Sequence, residues 1–497
     1  MDTILGIDVG TSSLKAFLFN DQLKPLADSR VEYPTRYPAQ GRAEQDPKEW
    51  YRALTIAVRN LLDKSDQSPS QVAGIAIVGM SSLALPVDNQ GQPLTPGMIW
   101  LDRRARAQSD FIHQHHHKRL LAISGNRSDP SNFAPKVMWL RDNEPEIYHK
   151  SRYFLHCNAY LVHRLTGVFS LDVSQCGLTQ LCDIRTGEYS DELIEAHGLA
   201  GDKFPDVYNC NDLVGTVSRN AASETGLIQG TPVVAGCMDN VAAILGLKLL
   251  QPGEAYISAG TATNIGIVLD EPVLEGRGLL YRHGVQGKWL LNGGVDYGAA
   301  GLYWFRNLLE TDYKTLTRLE SETVPSRHPL LFLPYMTAQR APLWNEDVSG
   351  AWIGLTPKAD RKHMVKSIME GAALGARHAF SELIGSLPRS LSLTGGPTVN
   401  PRWVQIFCNA MASRIVSRSD ADVTCLGAAV LAGVGVSLFP SFEDAMDRVP
   451  QGQRYDPEPE QISYYNELYD LYLKTYDNLD WTFQQLNRLQ KKYGGDS

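Results

Sequence analysis

Two glycine-threonine turns, one in each half of the chain, constrain its fold more than any other feature. The first lies in Gly6-Ile7-Asp8-Val9-Gly10-Thr11-Ser12-Ser13-Leu14-Lys15-Ala16 and the second in Tyr256-Ile257-Ser258-Ala259-Gly260-Thr261-Ala262-Thr263-Asn264-Ile265. Each is an apolar run, a small-residue turn and a second apolar run, the pattern of a β-hairpin. Such turns present backbone N–H groups and hydroxyls with little Cβ bulk, so phosphate oxygens can approach closely. Either turn alone could simply link two strands. Their repetition, and Asp8 just ahead of the first, point instead to a nucleotide clamped between two related domains. The Asp8 carboxylate would hold Mg²⁺ beside the phosphates, through water.

At 497 residues the chain exceeds one ordinary hydrophobic core, so two large domains are expected. The Pro-Gly segment Leu249–Glu254 is a natural boundary, which gives domains 1–249 and 250–497. A net charge of −8 with no basic cluster argues against nucleic-acid binding. The seven cysteines (157, 176, 182, 210, 237, 408 and 425) contain no C-x-x-C pair, so free buried thiols in a reducing cytoplasm are expected rather than disulfides or zinc. No apolar run approaches the ~20 residues that cross a bilayer. A strand beginning by Thr3 leaves no room for a signal peptide.

Along the chain, residues 3–9, 14–19, 30–37 and 72–78 read as strands. Asp46-Pro47 opens a helix that carries Trp50, Leu54 and Val58 on one face. Residues 104–165 are mostly helical, with breaks at Gly125–Pro135 and near Arg152–Leu155. The run His115-His116-His117 points in different directions around a helix and reads as a solvated face rather than a metal site. After the boundary, strands are expected at 255–258, 264–268, 278–281, 288–291 and 391–394. Helices are expected at 297–310, 360–386, 401–413 and 457–493. Strands followed by helices in each half make an α/β protein.

Asp239 follows the buried strand Pro232–Gly236 and precedes a helix. Ligands bind at that edge of an open α/β sheet, and an acid there could take a proton from an attacking hydroxyl. It could equally cap the helix. Gly395-Gly396-Pro397-Thr398-Val399-Asn400 repeats the strand–turn–helix logic, and its glycines would admit an adenine ring. Neither G-x-G-x-x-G nor G-x-x-x-x-G-K-[ST] occurs, which disfavours a nicotinamide-dependent dehydrogenase and excludes a P-loop ATPase. Trp100-Leu101-Asp102-Arg103-Arg104 gathers a ring, an acid and bases, a mixture suited to a polyol or to an ordinary charged strand end.

With these residues placed, nearly the whole chain resembles the FGGY family of carbohydrate kinases. Gly350-Ala351-Trp352-Ile353-Gly354-Leu355, followed by His363–Glu370, is similar to the family's C-terminal signature. Lys136-Val137-Met138-Trp139-Leu140-Arg141-Asp142-Asn143 echoes the N-terminal one, departing at Phe133. The resemblance implies two ribonuclease-H-like domains of the actin-like ATPase fold flanking a central catalytic cleft. It also implies Asp239 as catalytic base. ATP phosphates would lie on Gly10, Thr11, Ser12, Ser13, Gly260, Thr261 and Thr263, and adenosine on Gly395, Gly396 and Asn400. The nearest branch looks xylulokinase-like, through Ala43–Pro47 and Ile99–Arg103. Where xylulokinases carry Gln-Met-His-Gly this chain has Met80-Ser81-Ser82-Leu83, and Gln339 stands where a Glu is usual.

The expected reaction is therefore ATP- and Mg²⁺-dependent phosphorylation of a small sugar or polyol, first of all a pentulose such as xylulose or ribulose. Ser81, Ser82, Trp100, Asp102, Asp239 and Asn240 are the substrate-side candidates, with Asn132, Asn158 and Asp296 as further options. Domain closure would exclude water from the γ-phosphate. Other acceptors (glycerol, erythritol, gluconate), a chaperone-like ATPase and a non-catalytic sugar sensor are the alternatives, and a homodimer is left open.

Overall fold

The structure, a computed structural model, describes residues 2–322, 329–418 and 422–493. The chain forms two compact units, each assembled from three stretches. Unit one is Met1–Pro252, Val268–Leu290 and Ala421–Pro450; unit two is Gly253–Ile267, Leu291–Asp420 and Gln451–Ser497.

Unit one is built on a sheet of β1 (Thr3–Val9), β2 (Ser13–Asn20), β3 (Pro25–Glu32), β4 (Val72–Gly79), β5 (Leu213–Thr216) and β6 (Pro232–Val234), ordered β5-β6-β4-β1-β2-β3. β1, β2 and β3 form an antiparallel meander, while β4 lies parallel to β1 and β6 parallel to β4. The third strand starts and ends earlier than the 30–37 expected. The register pairs Ser13 with Glu32 and Phe19 with Pro25, and Pro34, lacking an N–H, cannot prolong the ladder. Helix Pro47–Lys64 begins as its sequence dictates. Asp46 accepts from Lys48 N, Pro47 occupies the first turn, and Trp50, Leu54, Val58 and Leu61 face the sheet.

Helix Val423–Gly435 returns to unit one late in the sequence and packs on β1 and on helix Asp239–Gly246. The approach is backbone to backbone. A Cβ on Gly427 would stand 1.8 Å from Ala242 O, and one on Gly246 would stand 1.9 Å from Val423 O. Only glycine permits that crossing.

The main sheet of unit two includes β7 (Ala255–Ala259), β8 (Thr263–Leu269), β9 (Trp289–Val295), β10 (Ser390–Gly395), β11 (Arg414–Ser417) and β12 (Gln453–Tyr455), neighbouring in the order β9-β8-β7-β10-β11-β12, beside a small hairpin-like pair of Leu331–Leu333 and Ala351–Ile353. The β7–β8 hairpin pairs Ala259 with Thr263, and β10 runs parallel to β7. Helices Arg361–Ile384, Pro401–Met411 and Pro459–Tyr493 accompany this sheet. A buried chain of hydroxyls anchors the last of them: Tyr472 donates to Tyr335, whose hydroxyl lies 2.7 Å from His378 Nδ1.

Both units thus join an antiparallel hairpin to parallel strands with helices packed alongside, the α/β layout expected. All seven cysteines are buried and free. Among the described residues no helix is long and apolar enough to cross a membrane, and no group of three or more His, Cys, Asp or Glu side chains could hold a metal ion.

Candidate active site

The first turn is held from several sides. Gly10 N donates to Ser13 O at 3.1 Å, which closes the turn, and the Tyr33 hydroxyl donates to Gly10 O. Gln45 Nε2 donates to Thr11 O at 2.6 Å, while Trp50 Nε1 fixes the other end of that amide at 2.8 Å. Trp100 Nε1 donates to Thr11 Oγ1 at 3.0 Å, so a substrate-side candidate and a phosphate-side candidate touch. In that contact the Thr11 oxygen accepts, so its own hydroxyl proton can still be donated. Ser12 is exposed, whereas Ser13 is buried as the first residue of β2.

Beside this turn sits a group of carboxylates with one cation. Lys15 ion-pairs with Asp422 and lies 3.7 Å from Asp8. Asp8 Oδ1 is buried without a partner. Burial, followed by the negative charges of Asp239 and Asp422, pushes the Asp8 carboxyl up to about 8. An acid so short of positive charge fits a cation, which would restore its ionised form. Asp239 is the first residue of helix Asp239–Gly246, and its Oδ1 accepts from Asn240 N at 2.7 Å. Burial raises its pKa to about 6, against the opposing pull of that hydrogen bond and of Lys15. Met238 is the N-cap and Asp239 the first helical residue, so this contact is local rather than a cap; it uses one Asp239 oxygen and leaves the other.

The Asp239 turn is braced from behind. Met238 N donates to Ser174 Oγ at 2.9 Å, Ser174 in turn bonds to buried Asp172, and Asn158 Nδ2 donates to Asp172 at 2.9 Å. Asp172 and Ser174 carried no local sequence signal, because the contact spans 64 residues. Asn158 belongs to this brace rather than to an open surface.

Among the substrate-side candidates, Ser81, Trp100 and Asn240 are partly open and Ser82 is buried. Asp102 differs from its expected place. It is 0% exposed, one oxygen accepts from Ala43 N at 2.7 Å, and both face the Arg104 guanidinium, which also reaches Glu44. Its carboxylate is consumed inside unit one. Asn132 is likewise buried, with Nδ2 directed to Arg127 O. Asp296 belongs to unit two, where Arg340 pairs with it at 2.8 Å and Gln339 Oε1 accepts its backbone N–H at 3.0 Å.

In unit two the second turn opens onto a cavity of about 670 Å³, within the range that small-molecule sites occupy. Gly260, Thr261, Gly396 and Asn400 all line it, together with an aromatic wall of Tyr297, Tyr303, Tyr313 and Trp403. Gly395 is not part of the lining. It sits at φ +95°, and a Cβ there would meet Ala259 O at 2.3 Å, so it serves the close approach of β10 to β7. Thr263 also differs from its expected place: its hydroxyl is fully buried, close to Gly298. Asn400 caps helix Pro401–Met411 through Oδ1, accepting from Arg402 N at 3.1 Å, which leaves its amide N–H₂ as the donor for a ligand. The aromatic wall went unread in the sequence because nothing local marks Tyr297, Tyr303 and Tyr313 as lining a cavity, and Trp403 joins them from about ninety residues further on.

Residues 3–246 match the N-terminal domain, and residues 255–436 the C-terminal domain, of the FGGY family of carbohydrate kinases. The chain is 28% identical to the xylulose kinase of Bacillus subtilis over 487 residues, covering 96% of this chain and 97% of that protein. It is 24% identical to the gluconokinase of the same organism over 505 residues, covering 98% of each. The solved structure of a ligand-bound xylulose kinase from Lactobacillus acidophilus superposes with a TM-score of 0.91 at 22% identity, over 98% of this chain and 100% of that one, a likeness of fold.

Proposed function

This chain belongs to the FGGY family of carbohydrate kinases, and on that premise we propose that it phosphorylates a small neutral ketose or polyol at a terminal hydroxyl. Pentuloses such as xylulose and ribulose are the first choice, in keeping with the greater identity to a xylulose kinase than to a gluconokinase. One observation carries the preference for a neutral acceptor: the cations of the substrate-side segments are already engaged. Arg103 is bidentate with Asp129, Arg104 is held by Asp102 and Glu44, and Lys136 donates to backbone carbonyls. The carboxylate of an aldonate would meet no free partner among them, and a buried unpaired charge is costly.

ATP is the phosphate donor. Asp239, ionised above about pH 6, takes the proton of the attacking hydroxyl through the oxygen not bound to Asn240 N. The new O–P bond forms as the bond from the γ-phosphorus to the bridging oxygen breaks, and ADP leaves. Turn N–H groups with the Thr11, Ser12 and Thr261 hydroxyls would hold the phosphate oxygens as charge spreads over them. Asn400, Gly396 and the aromatic wall would hold the adenosine. Asp8 is the residue fitted to Mg²⁺, which would neutralise phosphate charge. Trp100 would pack on the acceptor's C–H face, with Ser81 and Asn240 bonding its hydroxyls. Buried free thiols and a family of metabolic kinases favour a cytoplasmic enzyme.

Coupled ADP release from the purified protein, with D-xylulose, D- and L-ribulose, glycerol, erythritol and gluconate as acceptors, tests this. A neutral ketose or polyol should raise turnover far above the acceptor-free rate. Gluconate as the best acceptor would overturn the preference, and silence with ATP bound would point to a sugar sensor.

A further inference from the structure

Lys136 is fully buried, and among the described residues no carboxylate forms an ion pair with it. Its ammonium donates to Ser82 O at 2.6 Å and Ile99 O at 2.7 Å, with Met98 O at 3.4 Å. Those carbonyls belong to two neighbouring segments, which are also joined once through the backbone by reciprocal 3.1 Å bonds between Ala84 and Met98. One is the Ser81–Ser82 turn, where Ser82 adopts φ +55°, a conformation that residues other than glycine avoid. The other leads into Trp100 and Asp102. Ile99 O also accepts from Asp102 N at 2.9 Å, and Ile99 N donates to Ala43 O at 3.2 Å.

A buried charge met only by carbonyls is an expensive way to fill a core. It is well suited to holding two irregular segments in one geometry, because a single tetrahedral donor fixes three acceptors at once. Resting on the acceptor side assigned above, we propose that Lys136 is a positioning residue: it ties the Ser81–Ser82 turn to the Trp100 segment and thereby sets the shape of the sugar subsite. It touches no substrate itself.

The environment adds a second signature. Burial pushes the Lys136 ammonium down to about 7, with Asp102 and Asp129 opposing that shift and Arg104 and Arg103 adding to it; His156 also faces the lysine. Below that pH three N–H donors serve three carbonyls, and above it the neutral amine offers two. The tie therefore loosens as pH rises through about 7.

The test uses the full chain with Lys136→Met, and with Lys136→Gln, which keeps two N–H donors. Lys136→Met should lower kcat/KM for the acceptor roughly 10–100-fold, the scale of a displaced substrate, with the KM for ATP unchanged. Amide hydrogen exchange should quicken at residues 80–83 and 98–102. In the parent, acceptor KM should rise above about pH 7; Lys136→Gln should recover part of both effects and abolish that rise. Unchanged exchange at those segments, or equal losses for acceptor and ATP, overturns the proposal. If no acceptor turns the parent over, the function assigned above fails while exchange still decides the tie. If Lys136→Met does not fold, Lys136→Gln supplies the exchange measurement.

Discussion

Replacing Asp239 by asparagine separates its two candidate roles, because they use different features of one side chain. The structural role, accepting from Asn240 N in the first turn of the helix, needs only an oxygen, and asparagine still supplies one. Global stability should therefore change by less than ~1 kcal/mol. The base role needs an ionisable oxygen, which asparagine lacks. With a pKa of about 6, the parent Asp239 is some ~97% ionised near pH 7.5, so nearly the whole population is competent before the change. Its loss should cost roughly 10²–10⁴-fold in kcat, or ~3–5 kcal/mol in the barrier. The neutral residue also removes one of the charges that raise Asp8 toward 8, so Asp8 ionises at lower pH in the variant. ATP binding should accordingly hold or tighten. The assay is ADP release against the best acceptor, with ATP affinity and thermal melting measured on the same samples. In the parent, kcat should fall about tenfold per pH unit below about 6. A variant within ~10-fold of parent kcat, or a parent with no acid limb near that pH, would refute Asp239 as the base.

Other substitutions probe single features. A Cβ on Gly396 has nothing nearer than Ala259 O at 3.7 Å, so Gly396→Val should fold, fill the unit-two cavity and raise the KM for ATP roughly tenfold or more without altering the acceptor KM. Gly395→Ala, one position earlier, should instead destabilise by ~2 kcal/mol or more in urea titrations, because its φ is +95° and the new Cβ meets Ala259 O. His156 is buried against Phe133 with both ring nitrogens unpartnered, and burial lowers its pKa from 6.5 to about 3. The unfolded chain then binds the extra proton first, so stability is lost as pH falls from 6.5 toward 3, and melting curves of His156→Leu should show a shallower acid decline.

Local chemistry made the frame readable. Alternating apolar runs broken by Gly-Thr turns located both hairpins, Asp46-Pro47 located a helix start, and the apolar run into Asp239 located a strand–helix junction. What stayed hidden was long-range. Nothing around Asp102 reveals that Ala43 N, fifty-nine residues earlier, takes one of its oxygens, and nothing near Asp239 points to Ser174 beneath it. Thr263 looked like a turn hydroxyl, but pairing with Ala259 makes it the first residue of β8 and turns it inward. The start of the third strand was displaced because Leu26, Ala27 and Ser29 form a weak apolar pattern, while Val31 and Tyr33 form a strong one just beyond.

The glycine-lined crossing of helix Val423–Gly435 on helix Asp239–Gly246 has a consequence for biosynthesis. The sheet and the Asp239 helix emerge from the ribosome early, yet the element that covers β1 and lies over the Asp239 helix is made only after most of unit two. A nascent chain ending near Pro252 presents Gly6, Ala242 and Gly246 as a bare small-residue face with nothing to seat on it. Its acid group is incomplete as well, since Asp422 has yet to be added to Asp8, Lys15 and Asp239. Unit one thus begins first, yet it closes only after most of unit two has been made. Truncated products carry Asp239, the first turn and the Ser81 and Trp100 segments without the helix that holds them together, and such products are natural clients for chaperones.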